Sequence, residues 1–365
     1  MKEEGIRPYG VFTTIVLTII GVGIFSYPRY ICMATGRDGW IVTIISGIMA
    51  GFMICIIYYI EKLNEFDSYV NIIFNSFGKF LGSIVITIFL VYAVMVICVY
   101  MRDFVEVLKI YLLENTPLEF LIITTLLLGV YIVGYGFNYI MKFNEIIFFI
   151  AFVPLILAFI FLITSVDFTN VLPIGQNSLH NYKIGIYRGV LAFGGYEILF
   201  LAAPMAKKKE NIKKISILSI GFVTLFYALV TIYCLGLFSL GETENLLWPT
   251  ITMITAVDIP GSFVERWEGI VMALWILFHF STFSSMLYFS CNILKDGFNV
   301  KTTRIAAIIL CPIILIVTMY AKNIIHLHEI SEKILNPLQL FNIIIVPIVL
   351  LVINLIKHRG RNNEK

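Results

Sequence analysis

Charge is scarce in this sequence. Only 13% of its 365 residues are charged, while 59% are hydrophobic and the mean hydropathy is +0.93. No soluble globular protein needs that much apolar surface, so soluble classes are excluded and a polytopic membrane protein remains. The formal net charge is only +3, which argues against a nucleic-acid partner. Six cysteines (Cys32, Cys55, Cys98, Cys234, Cys291 and Cys311) stand singly in apolar segments without a CxxC pair. They read as small core hydrophobes rather than disulfides or metal ligands. A phosphate loop, HExxH, GxSxG and any metal-spaced His/Cys cluster are lacking, so neither an enzyme nor a cofactor is indicated. The first apolar run is too long, and too weakly preceded by positive charge, for a cleaved signal peptide. Loops are short, and no soluble output domain is expected.

What the chain does have is apolar stretches of membrane-spanning length. Ten are expected, each near the ~20 residues a bilayer core requires: 10–33, 39–60, 81–101, 119–140, 146–165, 184–204, 215–238, 269–293, 304–321 and 339–356. Gly47 and Gly51 in the second form a small-xxx-small pattern suited to close helix contact. Residues 61–80 read as a short surface helix, and the third helix is expected to run past Arg102 toward Glu114. Pro154 is a candidate bend in the fifth. Most of the 26 Lys and Arg fall in alternate loops, among them Lys207, Lys208, Lys209, Lys213 and Lys214, which places both termini in the cytoplasm. The acidic loop 239–268 then lies outside. Its Leu246, Leu247, Trp248, Ile251, Ile254 and Val257 recur at helical spacing before Pro260-Gly261. It reads either as an amphipathic lid over the outer mouth or as a surface helix with Trp248 and Trp267 at the interface.

Two stretches interrupt this regularity. Gly21-Val22-Gly23-Ile24-Phe25 puts two glycines in the middle of the first span, each costing roughly 1 kcal/mol of helix propensity against alanine. Phe193-Gly194-Gly195-Tyr196-Glu197 does the same in the sixth. Two repeats of five helices would make these segments counterparts, and interrupted helices at matching positions point to a transporter-type binding site. At the first break, the N–H groups from Ile24 onward would face a substrate anion, and the missing Cβ atoms would let a ligand approach the backbone. Ordinary helix packing through small residues is the plainer account. Glu197, an ionisable group at membrane depth, either receives a substrate amine, shares a proton, neutralises Arg29 or Arg188, or is a structural hydrogen-bonded carboxyl. On the third span Tyr92, Val96 and Tyr100 recur every four residues, as a pocket wall or a packing stripe. The eighth carries His279, Ser281, Thr282, Ser284 and Ser285. Its hydroxyls either join first-helix carbonyls around Na⁺ or bond their own helix, and His279 reads as a packed polar residue. The fifth span has no lysine to replace such an ion.

The first-break motif with Pro28-Arg29, and Phe193-Gly194-Gly195-Tyr196-Glu197, resemble the amino acid–polyamine–organocation superfamily along the whole chain. Ten helices in 365 residues, Ser26-Tyr27-Pro28-Arg29 and the Lys207-Lys208-Lys209 loop are most similar to the B subunits of spore germination receptors. The resemblance implies an all-α integral membrane protein, one membrane domain over 1–365, with ten transmembrane helices in a 5+5 inverted repeat (10–165 and 184–356) and broken helices 1 and 6. It implies a place in the inner membrane of the spore, where the protein binds a nutrient germinant, often an amino acid, beside A and C subunits. The family's pocket maps here onto Gly21, Val22, Gly23, Ile24, Phe25, Gly194, Gly195 and Tyr196, with Val96, Tyr100 and Thr282. Phe193 and Glu197 join the expected site at the second break, where Glu197 departs from a purely neutral break and leaves a zwitterionic or a cationic ligand open. A secondary amino acid transporter coupled to H⁺ or Na⁺ shares this fold and pocket, and a channel element is a third reading.

Overall fold

Among the described residues every regular element is helical. The computed structural model describes residues 5–21, 23–256 and 267–363. Among the described residues, eight helical stretches are long and apolar enough to cross a membrane, and Pro8–Ile20 and Leu118–Val133 are shorter apolar helices. Large apolar side chains such as Phe52 and Phe80 project from the outside, 69% and 79% exposed, as a lipid-facing surface requires.

The first stretch begins with α1, Pro8–Ile20, whose Pro8 sits at the helix start where no N–H is needed. It stops at Gly21, which has φ of +39°. A 3₁₀ turn, Gly23–Phe25, leads into α2, Tyr27–Thr35. After α3 (Gly39–Leu63), α4 (Tyr69–Tyr111) bends at Gly78, φ +76°, so the expected surface helix and third span are joined end to end. The expected run of the third helix beyond Arg102 is there.

Several boundaries differ from the sequence reading. The turn between α5 (Leu118–Val133) and α6 (Phe137–Leu162) falls at Gly134–Gly136 rather than at 141–145, because Gly136 takes φ of +98°. The sixth stretch is split into α7 (Leu179–Ala192), a 3₁₀ turn at Tyr196–Ile198 and the short α8 (Leu199–Ala202). Then α9, Ile212–Asn245, continues past the expected end at residue 238 by kinking at Ser239. Of the loop 239–268, Pro249–Thr255 forms α10, and Val257, Pro260 and Gly261 lie outside the described residues. Trp248 is buried against Tyr111 rather than displayed at an interface. It is followed by α11 (Trp267–Phe298) and α12 (Thr303–Tyr320).

The largest difference is at the last stretch, which begins at Ile324 and not at residue 339. It comprises α13 (Ile324–Ile330), a π-helical segment Ser331–Leu335, α14 (Asn336–Leu340), a second π-helical segment Phe341–Ile345 and α15 (Val346–Asn363). Asn323 caps its start by accepting from the His326 N–H. Its first turns carry His326, His328, Glu329, Glu332 and Lys333, too polar to register as a membrane span.

At the centre, α1 packs against α6, α9 and α11, and its end meets the 3₁₀ turn of the sixth stretch. The start of the chain is tied to the end of the same stretch. Ile6 N–H donates to Met205 O at 3.0 Å, and Lys207 N–H donates to Ile6 O at 2.9 Å.

Candidate functional site

The two interruptions expected from the sequence are present, and they abut. A Cβ built on Gly195, whose φ is +115°, would lie 2.8 Å from the Thr18 carbonyl oxygen at the end of α1. One built on Gly21 would lie 2.9 Å from Thr282 Oγ1 on α11. Backbone freed at such depth must find partners inside the protein, and it does. Leu17 O accepts from the Thr282 hydroxyl at 2.8 Å and from Gly21 N–H at 3.2 Å. Ile19 O accepts from Tyr227 at 3.1 Å, and Ile24 O from Thr250 of α10 at 2.9 Å. At the second break, Leu191 O accepts from Gly194 N–H at 2.9 Å and from Gln339 Nε2 at 2.7 Å.

Glu197 is completely buried and its carboxyl is held from both sides. Tyr92 OH donates to Oε1 and Gly195 N–H donates to Oε2, each at 2.7 Å. Neither arginine proposed as its partner reaches it. Arg29 Nε donates to Glu244 O at 3.1 Å, and Arg188 Nη1 donates to Tyr30 O at 3.2 Å. Of the readings open for this residue, its geometry is that of a structural carboxyl that pins the second break to α4.

Two cavities adjoin the breaks. The smaller, about 10 Å³, is bounded by Val96, Tyr100, Gly194, Gly195, Glu197 and Thr282 from the sequence reading, together with Thr18, Tyr92, Met286 and Gln339. The α4 residues Tyr92, Val96 and Tyr100 are therefore a wall and not merely a packing stripe. This space holds about one water. Thr18 Oγ1 at its edge is buried and has no hydrogen-bond partner among the described residues. The larger cavity, about 180 Å³, lies between α2, α4, α7 and the last stretch, and Gly23 and Tyr100 reach it. Its polar groups are Tyr30, Asp103, Arg188, His328, Glu332 and Gln339. Tyr30 OH meets His328 Nδ1 at 2.7 Å, and one Asp103 oxygen is buried without a hydrogen-bond partner among the described residues.

The remaining expected residues pack beside the cavities instead of lining them. Phe25 stacks edge-on against Trp275 with ring centres 5.1 Å apart, and Phe193 contacts Tyr227 at 5.6 Å. Ile24 is buried, and Tyr196 OH donates to Ile343 O at 2.8 Å. Val22 lies outside the described residues. Thr18, Asp103, Arg188 and the whole wall from Leu327 to Gln339 were missed. A signal for the last did exist, since Asn336, Gln339 and Asn342 interrupt an apolar run at helical spacing.

The eighth-helix hydroxyls are all engaged with protein atoms. Ser281 Oγ donates to Asn144 Oδ1 at 2.6 Å, and Asn144 Nδ2 donates to Thr14 Oγ1 at 3.2 Å and Ser285 Oγ at 3.4 Å. Ser284 Oγ donates to Ser281 O at 3.2 Å. The amide of Asn144 on α6 thus occupies the place between α1 and α11 where a coordinated cation was one of the readings. His279 is a packed residue, stacked on Phe104 at 3.8 Å, and its buried ring nitrogens have no hydrogen-bond partner among the described residues.

Comparison with known proteins agrees with this architecture. A family profile described as "Spore germination protein" matches residues 5–326. Spore germination protein A2 of Bacillus subtilis (strain 168) is 29% identical over 80% of both chains. Spore germination protein GerQB of Bacillus cereus is 29% identical over 88% of both. The fold is similar to that of a Na⁺-coupled sialic acid symporter in a substrate-bound outward-open state. The TM-score is 0.65 at 11% identity, covering 93% of this chain and 79% of the other. With helices of membrane length throughout, two adjoining breaks, and a family match over nearly all of that framework, this multi-pass membrane protein belongs to the spore germination protein family.

Proposed function

We propose that the chain is the nutrient-binding membrane subunit of a spore germination receptor. It holds a small germinant, an amino acid or a molecule of similar size, at the two helix breaks. Binding shifts a conformational equilibrium that A and C subunits read. The observation that carries this reading is the meeting of both breaks at one pair of cavities that share Tyr100 and Gln339 as common walls. The volume of the larger, about 180 Å³, is below the ~300–1,000 Å³ of drug-sized sites and suits a small metabolite. Asp103 and Glu332 face it with Arg188, a mixed-charge lining that favours a zwitterion.

In this reading residues 10–165 and 184–356 are two five-helix repeats of inverted orientation within one ten-span domain. Both termini are cytoplasmic, and the protein sits in the inner spore membrane with the larger cavity toward the outside. Of the residues expected from the sequence, the ligand contacts are drawn from Gly23, Val96, Tyr100, Gly194, Gly195, Glu197 and Thr282, which line the two cavities. Thr18, Asp103, Arg188 and Gln339 join them. The family is not an enzyme family, and no chemical step is assigned.

The test is germination of spores lacking this gene against a panel of amino acids, sugars and nucleosides, with uptake of the same compounds measured in proteoliposomes. Loss of response to one nutrient class with no uptake supports the receptor. Concentrative uptake that depends on an H⁺ or Na⁺ gradient would make the protein a secondary transporter instead.

A further inference from the structure

Gln339 is carried by α14, a single five-residue turn between two π-helical segments. Such segments are rare and recur at functional sites. Two of them leave the α14 turn rotated against the helix on either side. The side chain of Gln339 is only 5% exposed, and its amide fills the notch in front of Gly194. A Cβ built on Gly194 would lie 1.8 Å from Gln339 Nε2. The same nitrogen donates to Leu191 O in the last turn of α7, a carbonyl that also accepts from Gly194 N–H. On the far side of Gly194 and Gly195, Tyr196 OH donates to Ile343 O inside the second π-helical segment. The second break is therefore bracketed by two hydrogen bonds to one irregular stretch of helix.

Gln339 also stands between the two cavities, since it lines both. Beyond it, the space of about 10 Å³ ends at the hydroxyl of Thr18, unpaired among the described residues. Anything larger than water that is to reach Thr18 from the larger cavity must pass Gln339 or Tyr100, the residues that line both. If it displaces the Gln339 amide it must also supply a donor to Leu191 O, or that carbonyl keeps only its bond from Gly194 N–H.

We propose that Gln339 is a plug that holds the donor position at Leu191 O until a ligand N–H or O–H group displaces it. The two π-helical segments let the α14 turn move aside without breaking the helix. The proposal rests on the reading of the cavities as a ligand site. Its test measures only access past Gln339, so the two can fail separately.

The full chain is purified with Val96→Cys, which lines the smaller cavity only, or Ser26→Cys, which lines the larger only. The probe is 2-aminoethyl methanethiosulfonate, and mass spectrometry separates the new cysteine from the six native ones. Gln339→Ala is expected to speed modification at position 96 about fivefold or more, the effect of removing one hydrogen bond and its bulk. Modification at position 26 should be unchanged. Gln339→Met, which fills the volume without the amide, should raise the position-96 rate less than alanine does. Equal rates at position 96 with and without Gln339→Ala, while position 26 is modified normally, overturn the plug. If Gln339→Ala lowers the melting temperature below the working range, Gln339→Asn, too short to reach Leu191 O, is read by the same criteria.

Discussion

Gly195 and Thr18 hold the two broken helices in backbone contact. A Cβ on Gly195 would stand 2.8 Å from Thr18 O and 3.1 Å from the Ile19 Cα, atoms that cannot rotate away. The φ of +115° at Gly195 adds a conformational cost for any other residue, about 1–2 kcal/mol in the left-handed region. Gly195→Ala is expected to destabilise by more than about 2 kcal/mol and to abolish the nutrient response, read as a lowered melting temperature of the purified protein. Gly194→Ala meets chiefly the movable Gln339 amide, with the Leu191 carbonyl oxygen 3.1 Å away. It should leave protein levels intact while shifting the dose response, and an unchanged dose response would remove Gly194 from the site.

Tyr92 and Glu197 form the tie between α4 and the second break. Tyr92→Phe keeps the ring and strands one buried carboxyl oxygen, at an expected cost of about 1–3 kcal/mol. Glu197→Gln keeps the shape and an acceptor for one of the two donors, and should cost less. Thermal denaturation in detergent ranks the two, and the reverse order would contradict the structural role of the carboxyl.

Asn144 joins α6 to Thr14 of α1 and to Ser281 and Ser285 of α11 through three hydrogen bonds. At about 0.5–1.5 kcal/mol each, Asn144→Ala is expected to destabilise by about 2 kcal/mol. Because Thr282 also spends its hydroxyl on Leu17 O, replacing Na⁺ by choline should not change the melting temperature or the nutrient response. A Na⁺-dependent rise in either would show that these hydroxyls can be recruited by the ion.

Glu61, at the end of α3, is fully buried, and among the described residues neither of its oxygens has a hydrogen-bond partner. An unpaired buried carboxyl opposes folding. Glu61→Met, similar in length and apolar, is expected to raise stability by about 1–3 kcal/mol. If it does so while germination is lost, Glu61 serves the signal and not the fold. If stability falls, a partner of the carboxyl has gone unseen.

The sequence alone determined the class of the protein and the position of both breaks. Apolar stretches of bilayer length are local in sequence, and paired glycines weaken a helix wherever they stand. Gly21 and Gly195 do take positive φ at the places expected. The stripe of Tyr92, Val96 and Tyr100 was visible by its spacing, though spacing could not tell a wall from packing.

Only the tertiary structure decided what the polar groups do. Glu197 was equally a ligand partner and a structural carboxyl until Tyr92 and Gly195 were seen to hold it. The hydroxyls of α11 had bonding within their own helix as the plainer reading and an ion as the alternative, and the structure adds Asn144 as a partner of Ser281 and Ser285. The start of the last helix was missed for a related reason. Residues 324–338 include charged and polar side chains that lower the local hydropathy, and several of them face a cavity instead of lipid. Hydropathy records the average surroundings of a segment. Which side chain meets which depends on contacts between residues more than a hundred positions apart, such as Gln339 with Leu191 or Thr282 with Leu17, and these exist only once the helices have packed.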